Sequence, residues 1–123
     1  MESTICHFEI PADDIGAAES FYSKLFGWKM KAAPGQDYFF VRTSDEHPDA
    51  LGGGILKRVD PQHGVTLFVT VESVDASVKQ LEELGGEVVV PKTAVNKMGW
   101  AVTARDPQGN TIGLFEQDTA AGA

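Results

Sequence analysis

Apolar and polar positions along this chain switch between a strand-like and a helix-like period in a fixed order. "TICHFEIP" reads as a strand with mixed alternation. Asp13 or Asp14 is placed to cap a helix. Ile15, Ala18, Phe21, Tyr22 and Leu25 then recur at helical spacing, and Gly27 is placed to end the helix. "WKMKAA" and "YFFVRT" read as strands around the turn "PGQD", the second rich in aromatic and β-branched residues. After the polar stretch "SDEHPD" comes "ALGGGILKRV", a Gly-rich strand.

The same order then repeats. "GVTLFVTVE" alternates strongly, and Ser73 caps a helix carrying Val74, Val78, Leu81 and Leu84, with Gly85 at its end. "GEVVVP", "GWAVTARD" and "TIGLFEQD" read as strands, the last two joined by the tight turn "DPQGN". The tail "TAAGA" is expected to fray. Shifting the chain by 59 residues lays "DIGAAESFYSKLFGW" on "SVDASVKQLEELGGE" without gaps, and Gly54 on Gly113. Both halves read βαβββ. The predicted fold is α+β, a single domain over 1–123, with modules at about 1–60 and 61–118. Two short, curved sheets would then enclose a cleft, the default place for a ligand.

Composition narrows the function classes. The chain is 42% hydrophobic and 23% charged, with a net charge of −8 and one cysteine. That charge argues against a nucleic-acid partner, which needs a basic footprint. No apolar run approaches the ~20 residues of a membrane span. "MESTICHF" lacks the features of a signal peptide, and one cysteine allows no internal disulfide, so the expected location is cytoplasmic. No phosphate-binding loop, dinucleotide fingerprint, nucleophile elbow or C-x-x-C motif is present.

The candidate chemistry starts at "ICHFEI". Period-two alternation puts His7 and Glu9 on one strand face, where they can act as a hydrogen-bonding or acid–base pair, or simply order the strand. Gly52, Gly53 and Gly54 in a strand imply either close approach by another group or a bulge. Phe21, Tyr22, Leu25 and Phe26 read as core, Cys6 as an inert buried thiol, and His47 and His63 as solvated loop residues. Arg42 and Arg58 read as partners in surface salt bridges.

With "HFEIPADDIGAAESFYSKLFGW", "VESVDASVKQLEELGGEVVVP" and "ARDPQGNTIGLFE" in view, the chain resembles the vicinal oxygen chelate superfamily of glyoxalase I, bleomycin-resistance proteins and extradiol dioxygenases. The resemblance implies a divalent ion held by side chains from the first and fourth strands of each module. Carried over, those positions are His7, Gly54, Thr66 and Gly113. Glycine offers no ligand, and a threonine hydroxyl is a poor one for Zn²⁺, Ni²⁺ or Fe²⁺. Glu116 lies at odd separation from Gly113 and should face away from it. The expected protein therefore has no metal and no other cofactor, and binds a small organic molecule between its modules. His7 and Glu9 are the candidate catalytic pair, and His7, Glu9, Gly54, Thr66, Phe68, Trp100, Gly113 and Phe115 are the candidate ligand-binding residues. The alternative is a lyase, isomerase or dioxygenase using His7 and Glu9 with an atypical metal site. The resemblance also implies a homodimer.

Overall fold

A computed structural model describes residues 1–123. The elements run β1 (Ile5–Ala12), α1 (Ile15–Phe26), β2 (Lys29–Ala32), β3 (Tyr38–Arg42), β4 (Gly53–Lys57), β5 (Thr66–Thr70), α2 (Val74–Glu83), β6 (Glu87–Val95), β7 (Gly99–Arg105) and β8 (Thr111–Gln117). This is an α+β fold of two βαβββ modules in tandem. The chain divides into two compact units, one of His7–Val65 and one of Met1–Cys6 with Thr66–Ala123.

In the first of these units the strand order is β2-β3-β4-β1. β1 and β4 run parallel, while β3 is antiparallel to both β2 and β4. Asp14 caps α1, its carboxylate accepting from the Ala17 N–H at 2.9 Å. Gly27 ends the helix in the left-handed region at φ 73°, where a residue without Cβ meets no penalty. Ile55 and Val41 are buried, Ile55 completely.

The expected core stripe on α1 is wrong in part. Phe21, Leu25 and Phe26 are 59%, 58% and 56% exposed. The half-buried Ile15, Ala18 and Tyr22 turn inward instead. Helical spacing allows either set, because adjacent stripes differ by one residue's rotation. Tyr22 decides between them, stacking on Trp28 at 5.6 Å between ring centroids, with Phe8 5.9 Å beyond.

In the other unit the order is β5-β8-β7-β6. Ser73 caps α2 by accepting from Ala76 N–H at 3.1 Å. Glu116 faces the same helix, and its carboxylate accepts from Val74 N–H at 2.9 Å. It thus satisfies a first-turn donor that the helix itself leaves open. Val74, Val102 and Leu114 form the core under α2, with Val78, Leu81 and Trp100 packed around them. In the "DPQGN" turn the Asp106 carboxylate accepts from the backbone of Gln108 and Asn110, and Gly109 takes φ 86°. The tail does not fray. Ala121 is fully buried, and its carbonyl accepts from Lys97 N–H at 2.9 Å.

The shift of 59 holds at the level of strand pairing. Phe8↔Gly53, Glu9↔Gly54 and Ile10↔Ile55 in β1/β4 recur as Leu67↔Ile112, Phe68↔Gly113 and Val69↔Leu114 in β5/β8. It fails at the neighbouring hairpin, where Gly54 pairs with Phe40 but Gly113 pairs with Thr103.

Two further expectations are corrected here. His63 is buried, not solvated, because its ring accepts from Val59 N–H at 3.1 Å and its carbonyl accepts from Arg58 at 2.7 Å. Cys6 is exposed rather than buried, since the outer part of β1 has no covering element. Its thiol donates weakly to the Phe68 carbonyl at 3.6 Å, and partial burial of the sulfur raises its pKa, which favours the protonated thiol.

Candidate functional site

The His7–Val65 unit gathers His7, Glu9 and Gly54 on one face of its sheet. β1 carries His7 and Glu9 at even spacing, and Glu9 lies directly beside Gly54 in the parallel register. The residue that completes the cluster is Tyr38, which the sequence reading did not single out. It stands on β3, on the far side of β4, next to Phe40 at 5.1 Å between ring centroids. Its ring crosses β4 above Gly54. A Cβ built at Gly54 would land on the Tyr38 hydroxyl and the ring carbon that bears it. The absent side chain at 54 is therefore the opening through which Tyr38 reaches β1. The glycine stretch is neither a bulge nor an empty space at this point, because a neighbouring residue fills it.

The Tyr38 hydroxyl donates to Glu9 Oε2 at 2.9 Å and lies 2.8 Å from His7 Nε2. His7 and Glu9 themselves stand 3.8 Å apart. A hydroxyl has one proton. With Glu9 ionised that proton goes to the carboxylate, so His7 Nε2 carries the hydrogen donated to the Tyr38 oxygen. The chain of donors thus runs from His7 through Tyr38 to Glu9. The side chains of His7 and Glu9 are 32% and 15% exposed, so the corner is partly open to solvent.

Burial sets the electrostatics of this corner. Desolvation lowers the His7 pKa, which keeps the imidazole neutral near neutral pH. Desolvation raises the Glu9 pKa, against the opposing effect of the Tyr38 hydrogen bond. It also raises the Tyr38 pKa strongly, helped by the Glu9 charge and by the proton that Tyr38 gives to Glu9. Tyr38 is thereby held as a neutral phenol.

The other candidate residues lie in the second unit. Phe68 and Gly113 are register partners, and the Phe68 ring covers Gly113 where a Cβ would sit. Thr66 is fully buried on the same strand face as Phe68. Phe115 shares the face of Gly113, and its ring reaches over Gly99. Trp100 does not join them. It pairs with Glu116 on the opposite face, packs on the core under α2, and donates to Asp118 at 3.0 Å, with the Lys92 ammonium 4.7 Å from the ring centre. Two open hollows, of ≈ 400 and ≈ 540 Å³, are lined from β2, β3 and the 43–52 connection and contain none of the candidate residues.

The four positions that the resemblance assigns to a metal do not suit one. His7 is the only strong donor among them, and the space above Gly54 is filled by Tyr38. No three His, Cys, Asp or Glu side chains gather closely enough to hold an ion. Arg58 forms the expected surface ion pair, with Asp13 at 3.2 Å, and Arg42 pairs with Asp45 at 3.3 Å. No helix is long and apolar enough to cross a membrane.

Comparison with known proteins agrees with this geometry at the level of the fold. The family model of the Glyoxalase/Bleomycin resistance protein/Dioxygenase superfamily matches residues 4–114. A glyoxylase-like domain-containing protein of Didymella fabae is 28% identical over 95 residues, covering 71% of this chain and 72% of its own length. The anthracycline biosynthesis protein DnrV of Streptomyces peucetius is 25% identical over 134 residues, covering 94% of this chain and 48% of its own. The chain thus spans about half the length of that relative. Methylmalonyl-CoA epimerase of Streptomyces coelicolor, solved in complex with 2-nitronate-propionyl-CoA, superposes with a TM-score of 0.62 at 17% identity over 100% of both chains.

Proposed function

Because the chain belongs to the Glyoxalase/Bleomycin resistance protein/Dioxygenase superfamily, we propose that it binds a small organic molecule, without a metal ion, at the corner built by His7, Tyr38 and Glu9. The observation that carries this reading is the desolvated hydrogen-bonded cluster itself. Three polar side chains are held together on one sheet face, and burial perturbs the proton affinity of all three. A carboxylate kept there at a desolvation cost can accept hydrogen bonds from a ligand N–H or O–H.

Charge narrows the ligand class. The solved epimerase binds a coenzyme A thioester, which is a polyanion. A net charge of −8 suits such a ligand poorly and suits a neutral or cationic one better. The test is a thermal-shift and native mass-spectrometry screen of neutral and cationic aromatic compounds against wild type and Glu9→Gln. Binding that weakens at least tenfold in Glu9→Gln supports the reading. A ligand bound equally well by both proteins, or bound only with added metal, overturns it.

A second reading, a lyase or isomerase in which Glu9 moves a proton, is favoured by one observation. Desolvation raises Glu9 in the direction that makes a carboxylate a better base. Turnover lost in Glu9→Gln would select it over simple binding. The proposal also includes a homodimer, for which the exposed Phe21, Leu25 and Phe26 on α1 supply apolar surface.

A further inference from the structure

We propose that Tyr38, admitted by the glycine at position 54, has taken the place of an ion at the His7 corner and closes that corner to divalent metals. This deepens the reading above, from which it takes the His7 corner as the working site.

Three observations support the proposal independently of any binding data. The first is position. Gly54 is the register neighbour of Glu9, and His7 is two residues along on the same face. A carboxylate side chain at 54 would therefore stand beside Glu9 on the face that carries His7, as a third donor, the number that catalytic zinc sites take from the protein. Glycine supplies no donor.

The second is occupancy. The volume that a side chain at 54 would need is taken by the Tyr38 hydroxyl and ring. The ring belongs to a strand on the other side of β4, so it reaches the corner only because residue 54 has no Cβ. The two residues act together, the glycine by making room and the tyrosine by filling it.

The third is coordination. The hydroxyl binds His7 and Glu9 simultaneously, at 2.8 and 2.9 Å. Nε2 of His7 is committed to Tyr38, and so is one oxygen of Glu9. An ion would have to break both bonds and strip the proton from Nε2, because a metal takes the neutral nitrogen lone pair. The hydroxyl holds the two first-strand side chains at a fixed spacing, a task that an ion would otherwise perform.

The test uses Co²⁺ alone as the probe, with protein purified without chelator. Wild type should show no cobalt d–d absorbance, while the double variant Tyr38→Ala/Gly54→Glu, which removes the ring as well as the hydroxyl, should bind one Co²⁺ per chain with visible bands that His7→Ala abolishes. Stoichiometric Co²⁺ on wild type, lost in His7→Ala, would overturn the proposal. So would a folded double variant that takes up no Co²⁺.

A second measurement, which does not depend on the folding of that variant, uses wild type. Nitrogen NMR should find His7 protonated at Nε2, with a shift that moves in Tyr38→Phe. An Nδ1-protonated ring, or a shift that Tyr38→Phe leaves unchanged, would also sink the idea. Neither readout involves an organic ligand, so failure here is distinct from failure of the binding reading.

Discussion

The Tyr38 ring lies across Gly54, in the space that a side chain at residue 54 would fill. The relationship makes residue 54 a steric control on a hydrogen-bonded cluster one strand away. Gly54→Ala should swing Tyr38 out and break its bonds to Glu9 and His7 together. The expected loss is about 1–3 kcal/mol, the range for leaving a buried polar group without its partner. Tyr38→Phe removes the same bonds without the clash and should cost no more than Gly54→Ala. Denaturant unfolding of the two variants checks the order, and a Gly54→Ala protein as stable as wild type would contradict it.

The pH dependence of Glu9 follows from its raised pKa. The folded state holds this proton more tightly than the unfolded chain does. The Glu9 contribution to stability is therefore fully present below the unfolded pKa and is lost as pH rises through the folded pKa. His7, with a lowered pKa, acts in the opposite sense as pH falls through 6.5 and below. Subtraction isolates Glu9. The stability difference between wild type and Glu9→Gln should move in favour of Glu9→Gln as pH rises from 4.5 to 7. Melting temperatures across that interval provide the measurement.

Asp106 has the reverse sign. Hydrogen bonds from Asn110 and Gln108 hold its carboxyl below the ordinary range. Its contribution is present above the unfolded carboxylate pKa and is lost as pH falls through the folded value. Asp106→Ala should therefore destabilise the protein at pH 7, with an effect that shrinks as pH falls below 3.8. The acid limbs of the two unfolding curves should converge.

Burial separates two apolar positions that the sequence does not distinguish. Ile55 is fully buried, and Ile55→Ala should cost about 2–5 kcal/mol. Phe21 is largely exposed, so Phe21→Ser should change the stability of an isolated chain by no more than about 0.5 kcal/mol. A larger effect that grows with protein concentration would show α1 buried against a second copy. Sedimentation and chemical denaturation at two concentrations settle the matter.

Much of the fold is visible in the order of residues. Asp14 and Ser73 sit where helix caps are needed, and Gly27 sits where a left-handed residue ends a helix. The shift of 59 was legible too, because equal spacing from first to fourth strand in each module puts Glu9 beside Gly54 and Phe68 beside Gly113. The parity of Glu116 was also readable, and the structure turns it to α2.

The centre of the site was not readable in this way. Tyr38 reaches Glu9 across an intervening strand, along a diagonal that depends on ring length and on the void at Gly54. Nothing in the period of β3 marks it apart from Phe40. The available signal was the glycine, whose missing side chain required a neighbour to fill the gap. Aromatic character says nothing about which sheet face Trp100 occupies. Its partner across the hairpin, Glu116, already pointed to the helix side. Phe21 and Leu25 fit a helical stripe as well as Ile15 and Ala18 do, and only the stacking of Tyr22 on Trp28 chooses between them.

The break in the repeat between Phe40↔Gly54 and Thr103↔Gly113 has its own consequence. Residues 43–52 and residues 106–110 join equivalent strands with connections of different length, yet the parallel pairs beside them keep identical register. Descent from a duplicated ancestor would thus have let this connection lengthen or shorten freely while the paired strands stayed fixed. The same freedom makes the exposed stretch from Asp45 to Ala50 the natural point to graft a peptide tag or a reporter domain into the chain.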